Sequence, residues 1–283
     1  MKVSMLYDII RWEEKALYEA SKKRNIDMKM LDVREEIFDT SDGRAERFGD
    51  ISLQRCVGHY RNLHTTAFVE GQGVKVVNDL RSSELTGNKL FTILALKKAG
   101  VPVPRTIVSF SQEKAYQSFR ELGNKAVIKP VTGSWGRMIG LLESDSAARA
   151  VLEDREYMYP LYQVYYMQEY VKRPPRDIRA FVAGDRVIAA IYRLQPPDDW
   201  RTNTARGGKA INCPITKELE DIALKATSTV GDGIFGVDLM ESEAGMVVHE
   251  INGTTEFKNS VPATGIDIPG LMLDYIIERH GRS

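Results

Sequence analysis

The spacing of apolar positions changes along the chain, and each change predicts a different element. "KVSMLYDII" reads as a first strand. "RWEEKALYEASKKR" follows, with Trp12, Ala16, Leu17 and Ala20 on one helical stripe. "MKMLDV" and "VKVVN" predict further short strands. Strands alternating with helical patterns point to an α/β unit with a parallel sheet over about the first 80 residues. "NKLFTILALKKAGVPVP" then predicts a helix with lysines in its last turn, Gly100 just past it and Pro102 beyond. "RTIVSF" predicts a strand, after which Ser111 caps the helix "QEKAYQSFREL", ended by Gly123.

Beyond that point the pattern favours antiparallel pairs. "NKAVIKP" and "RMIGLLES" predict two strands joined by a tight loop, "VTGSWG", and "SAARAVLED" a short helix. "YQVYYMQEYV" predicts a strand that leads into the basic loop "KRPPRD". "IRAFVAG" and "RVIAAIYRL" pair around Gly184 and Asp185, a turn-forming dipeptide. "TKELEDIALKATSTV" reads as a helix capped by Thr216, and "IFGVDLMES" with "GMVVHEIN" as a last hairpin. "PGLMLDYIIERH" closes the pattern as a helix with Pro269 near its start. The later two-thirds is therefore expected to be α+β, unlike the first third.

Composition narrows the function classes. Lys and Arg number 39 and so do Asp and Glu, so no global field points to nucleic acid or an anionic membrane. Cys56 and Cys213 are far apart, without metal-ligand spacing, and are expected to stay reduced. His59, His64, His249 and His280 also lack ligand spacing. The N-terminal run meets charge at Asp8, so it reads as neither a signal peptide nor a membrane span. A cytoplasmic globular protein with a large core is the expectation.

Chemistry concentrates near the end of the chain. The last hairpin turns near Ala244, so a symmetric register sets Asp238 opposite Glu250 and Asn252 opposite Gly236, which leaves room for the amide. Val248, Glu250 and Asn252 then share a strand face. Two carboxylates and an amide oxygen are hard donors of the kind magnesium prefers, although a solvated face of an edge hairpin has the same pattern. "TGSWGR" is a second candidate: its glycines free backbone N–H groups for an anion, Arg137 adds charge, and Lys129 ends the preceding strand. A plain hairpin turn is the alternative. Arg179, Arg193 and Arg206 lie on or beside strands, either to grip carboxylates or as structural ion pairs with Asp177 or Glu169. Lys89 opens a helix, where lysine is usually only solvated.

Taken in order, "TGNK", "AVIKP", "GSWGR", "QEYV", "RDIRAFV", "NTARGG", "GVDLME" and "HEINGTTEFKNS" resemble the ATP-grasp ligases. Within them the set resembles the RimK-like branch and its LysX group, the ligases of carrier-protein-dependent lysine biosynthesis. The resemblance spans essentially the whole chain. It implies an ATP-grasp fold with an N-terminal Rossmann-like pre-ATP-grasp domain at 1–85, a central subdomain at 86–167 and a C-terminal subdomain at 168–283. It implies that Lys89 and Lys129 contact ATP, with Gly133, Ser134, Trp135, Gly136 and Arg137 folding over the phosphates. Gln168, Glu169, Tyr170 and Val171 would be the hinge facing adenine. Asp238, Glu250 and Asn252 would hold magnesium, as two ions, in agreement with the hairpin register. Arg179 and Arg193 would be catalytic. Arg193, Asn203, Thr204, Ala205, Glu256, Phe257, Lys258, Asn259 and Ser260 would line the boundary between nucleotide and amino acid.

The activity implied is ADP-forming amide synthesis through an acylphosphate. It would join 2-aminoadipate to the C-terminal glutamate side chain of a small acidic amino-group carrier protein of the LysW type. The pair after "EFK" resembles the family's selector: Asn with a small residue goes with 2-aminoadipate, Gly-Phe with glutamate. Asn259-Ser260 therefore implies 2-aminoadipate. The resemblance also implies a homo-oligomer, dimer or tetramer. The alternatives are glutamate as acceptor, a RimK-like glutamate ligase acting on another protein, and a nucleotide-binding regulatory module without catalysis.

Overall fold

The structure, a computed structural model, describes residues 1–41, 43–133, 136–202 and 207–281. Its first sheet has the order β2-β1-β3-β4, from β1 (Lys2–Tyr7), β2 (Asp27–Asp32), β3 (Ile51–Gln54) and β4 (Lys75–Val77). All its pairings are parallel. The connections run through α1 (Trp12–Lys23) and α2 (His59–Gly71), and α3 (Leu80–Gly87) follows β4. The sequence pattern missed β3, α2 and α3. α2 carries Thr65 and Thr66 and little apolar periodicity; the Gln54 amide reaches both threonine hydroxyls at 2.9 Å, and Val69 and Phe68 pack into the core beside them.

The second sheet, β5-β8-β6-β7, is antiparallel: β5 (Thr106–Ser109), β6 (Ala126–Lys129), β7 (Gly140–Leu142) and β8 (Tyr165–Glu169). α4 (Lys89–Lys98) precedes it, and α5 (Gln112–Glu121) and α6 (Asp145–Glu156) cover it over a core of Phe119, Ile128, Leu142, Leu152 and Tyr165. Ser111 and Ser144 cap α5 and α6. The link between β6 and β7 is not a tight turn, because β7 begins only at Gly140.

The third sheet, β11-β10-β9-β12-β13, positions the site. It contains β9 (Arg176–Ala183), β10 (Arg186–Leu194), β11 (Lys209–Asn212), β12 (Ile234–Ser242) and β13 (Gly245–Asn252). α7 (Lys217–Ser228), α8 (Ser260–Thr264) and α9 (Ile268–His280) complete the chain. Period-two alternation divides its residues cleanly. Ile178, Ala180, Val182, Phe235, Val237 and Leu239 face α7. On the opposite face Phe181, Ala183, Ile191 and Ile234 pack with α9 and the first sheet. Farther along these strands, that opposite face turns charged, with Asp177, Arg179, Arg193 and Asp238. Gly184 makes the β9–β10 turn at a φ of 60°, and a Cβ there would strike the Tyr275 ring. Among the described residues no helix is long and apolar enough to cross a membrane.

Candidate active site

The charged strand face forms one wall of a cavity of ≈ 360 Å³. The β12–β13 pairing sets Asp238 opposite Glu250 and Gly236 opposite Asn252. It reaches this register by a route the sequence did not reveal. Ser242 pairs with Gly245, so the turn lies half a residue earlier than expected, and a bulge at His249 restores the alignment. The bulge also changes the faces. Val248 points into the core with Ile251, while His249, Glu250 and Asn252 line the cavity, so Val248 does not share their face. Nor is the space over Gly236 empty. A Cβ there would collide with Thr255 Oγ1, so the missing side chain accommodates the segment beyond the strand.

The carboxylates are paired with cations. Asp238 accepts two hydrogen bonds of 2.7 Å from Arg179, its register neighbour on β9. Arg193 Nη2 lies 3.1 Å from the same carboxylate and pairs with Asp177 through two bonds of 2.7 Å. The ion-pair alternative thus describes Arg193, whereas Glu169 accepts from the Arg105 backbone N–H at 2.7 Å. Burial would raise the Asp238 pKa, but Arg179 and Arg193 outweigh it and hold the carboxyl well below its usual range. Burial likewise works against the Arg193 charge, and Asp177 and Asp238 more than restore it. Thr202 donates to Asp177 and fixes the far end of the row.

Two lysines face this row. Lys89 opens α4, its N–H donating to Val131 at 2.8 Å, and its Nζ lies 2.7 Å from the Gly133 carbonyl and 3.1 Å from Glu250. Lys129 Nζ donates to Gln168 Oε1 at 2.6 Å across β6 and β8. Burial, opposed by Glu250, pushes Lys129 down to about 8. Gly133 and Gly136, with φ of 151° and 65°, adopt backbone conformations suited to glycine in the loop above both lysines. His249 is held neutral, burial driving its pKa well below the ordinary value.

Lys89, Lys129, Gly133, Gly136, Arg137, Gln168, Glu169, Tyr170, Val171, Arg179, Arg193, Asp238, Glu250, Asn252 and Glu256 all line the one cavity. Ser134, Trp135, Asn203, Thr204, Ala205 and Arg206 lie outside the described residues. Phe257, Lys258, Asn259 and Ser260 do not line it. The Phe257 ring belongs to the core, edge-on to Trp12, with 5.9 Å between ring centroids. Lys258 and Asn259 are exposed, and Ser260 is buried at the start of α8. Sequence reasoning missed the wall from the first sheet's side, which includes Arg11, His59, Asn62 and Thr86. Thr86 opens the quoted "TGNK" stretch but drew no role there, and Arg11, His59 and Asn62 stand in no quoted motif. Among the described lining residues eight are Lys or Arg and five Asp or Glu, an excess that suits a multiply charged anion.

Asp238, Glu250 and Asn252 fit a divalent ion by donor chemistry, as hard oxygen groups at neighbouring register positions. Among the described residues no group of three His, Cys, Asp or Glu gathers, so the set suits an ion that completes its shell with phosphate and water.

The description RimK-like ATP-grasp domain matches residues 86–276, and LysX preATP-grasp domain matches residues 3–85. The chain belongs to the RimK-like ATP-grasp family. Such a member is a ligase by class. It is 38% identical over 275 residues to the alpha-aminoadipate–LysW ligase LysX of Sulfolobus acidocaldarius, covering 95% of this chain and 99% of that one. It is 31% identical to the glutamate–LysW ligase ArgX of Sulfurisphaera tokodaii, over 100% of both chains. Among solved structures, a RimK domain ATP-grasp protein of Sphaerobacter thermophilus superposes with a TM-score of 0.78 at 23% identity, covering 98% of this chain and 100% of that one. That likeness concerns the fold. The expected ATP-grasp architecture with a distinct N-terminal unit is therefore present.

Proposed function

We propose that this RimK-like ATP-grasp protein uses ATP to join the amino group of 2-aminoadipate to the C-terminal glutamate side chain of a small acidic carrier protein of the LysW type. The observation that carries the reading is the opposition, across one cavity, of Lys89 and Lys129 to the Asp238–Glu250 pair. The similarity to the alpha-aminoadipate–LysW ligase over nearly the full length supports the substrate pair.

In this reading Lys129, Lys89 and the loop from Gly133 to Arg137 hold the triphosphate, and the Gln168–Val171 segment faces the base. Asp238, Glu250 and Asn252 would hold magnesium, which neutralises phosphate charge when bound. A carrier carboxylate oxygen attacks the γ-phosphorus, the bond to ADP breaks, and an acylphosphate forms. The amine then attacks the acyl carbon, loses a proton, and phosphate leaves. Neither step needs an enzyme nucleophile. The chain contributes position and charge: Arg179 and Arg193 flank Asp238, and Lys89 links Glu250 to the loop carbonyl at Gly133.

A second reading takes glutamate as the acceptor, favoured by the full-length similarity to the glutamate–LysW ligase. Asn259-Ser260 supports 2-aminoadipate through its resemblance to the selector pair, not through the cavity lining, where neither residue stands. The test is ADP release and carrier mass with each amino acid. One aminoadipyl group added to the carrier supports the proposal; ADP release without carrier modification contradicts it.

A further inference from the structure

The segment between the hairpin and α8 has almost no structure of its own, yet each residue from Thr255 to Lys258 is held. Thr255 offers its carbonyl to Arg55 Nη2 at 3.2 Å. Glu256 pairs with Arg11 at 3.1 Å. The backbone N–H groups of Phe257 and Lys258 both donate to Glu13 Oε1, at 3.2 and 2.9 Å. The Phe257 carbonyl in turn accepts from the N–H groups of Ser260 and Val261, at 3.0 and 3.2 Å. That residue is therefore a joint: Glu13 grips its amide, and its carbonyl anchors the first turn of α8, where Asn259 and Ser260 sit.

The grip comes from far away in the chain and is itself braced. Glu13 lies in the first turn of α1 and is 4% exposed. Glu14, fully buried beside it, accepts from Arg11 through Nε and Nη2 and from Arg55 Nε at 3.1 Å. Arg11 and Arg55 are thus both fixed by Glu14 before they reach Glu256 and Thr255. A packing contact alone would leave the turn free to slide along Phe257. Two amides sharing one carboxylate oxygen fix its position.

We propose that Glu13 is a positioning residue for amino-acid choice: the first sheet's unit sets where the turn at 255–260 stands, including Thr255 and Glu256, which line the cavity, and Asn259 and Ser260 just beyond them. This rests on the function proposed above.

Glu13→Gln keeps a carbonyl oxygen that can accept both amides, whereas Glu13→Leu removes the acceptor and keeps the bulk. The experiment measures amide hydrogen exchange across 255–260, KM for 2-aminoadipate and for glutamate, and ATP affinity by calorimetry. Glu13→Leu is expected to expose the Phe257 and Lys258 amides to exchange. It should raise the KM for 2-aminoadipate about tenfold, the scale of one lost charge-assisted hydrogen bond, and leave ATP affinity within about twofold. Its preference between the two acids should fall, and Glu13→Gln should retain it. Should Glu13→Leu not fold, Glu13→Asp withdraws the carboxylate by one methylene and is expected to give the same pattern. A folded Glu13→Leu or Glu13→Asp protein with unchanged KM and unchanged preference overturns the inference. An unmodified protein that binds ATP but modifies no carrier overturns the proposed function instead, and the exchange data still read the Glu13 contact.

Discussion

Two parts of the cavity wall are built in opposite ways. In one, Asp177, Arg179, Arg193, Asp238 and Glu250 occupy adjacent strands of one sheet, and each is placed by register against its neighbour. In the other, Thr255 and Glu256 line the cavity from a 255–258 segment that has no strand or helix and depends on Arg11, Glu13, Glu14 and Arg55 from the opposite end of the chain. A sheet can hold many charges because each is paired along the ladder. A turn can be tuned, because a few distant contacts decide where it lies.

The largest expected effects lie on the sheet. Glu250 is partly exposed and pairs with Lys89. Glu250→Gln should lower ligation at least about 100-fold, on the scale of one lost group that stabilises developing charge, with little change in Tm. Asp238→Asn should also destabilise the fold, by about 3–5 kcal/mol, because Arg179 and Arg193 would lose a buried partner. Parallel melting curves and turnover measurements separate the two. Equal melting temperatures for both variants would contradict the ion-pair account.

Lys129→Met should follow, with ATP affinity reduced about tenfold or more by calorimetry. The lysine also gives a signed pH effect. Burial lowers its pKa to about 8 in the fold, while an unfolded lysine titrates near about 10.4, so the unfolded chain binds more protons between these values. Lys129 therefore makes ligand-free stability rise with pH across that window. Phosphate beside it favours the charged form, so nucleotide binding near pH 8 to 9 should take up a proton. Lys129→Met should abolish both trends, and proton uptake that persists in the variant would assign it to another group.

The smallest effect belongs to the tunable turn. Asn259→Gly with Ser260→Phe should shift the kcat/KM preference from 2-aminoadipate toward glutamate, by about 10-fold or somewhat more, since a single methylene carries about 1–3 kcal/mol. Kinetics with both acids check it. An unchanged ratio would mean that the pair does not select.

The same contrast explains what was legible in the sequence. Lys89, Lys129, Asp238 and Glu250 stand next to strong local signals, such as a capped helix start or a hairpin with a clear turn, and the cavity lining includes all four. The pairing of Asp238 with Glu250 was readable, but the bulge at His249 that produces it was not, because a bulge leaves the strand composition unchanged. The facing of Val248 was misjudged for that reason. α2 escaped because its inward face mixes Thr65 and Thr66, bonded to Gln54, with Phe68 and Val69 and so shows no clear apolar stripe. Nothing in the sequence sets Glu13 and Glu14 apart from other acidic residues in a helix first turn. Only the fold brings Phe257 and Lys258 to them, across 244 and 245 residues of chain.

In the proposed function the sheet's charged face and the braced turn serve one ligation. Its most direct test is a side-by-side measurement of kcat/KM for 2-aminoadipate and glutamate, with magnesium, ATP and a small acidic carrier ending in glutamate. Carrier mass and ADP should be followed together. One ADP per aminoadipyl group added, with 2-aminoadipate preferred, is the predicted result; ADP release without carrier modification, or equal or higher efficiency with glutamate, would contradict the account.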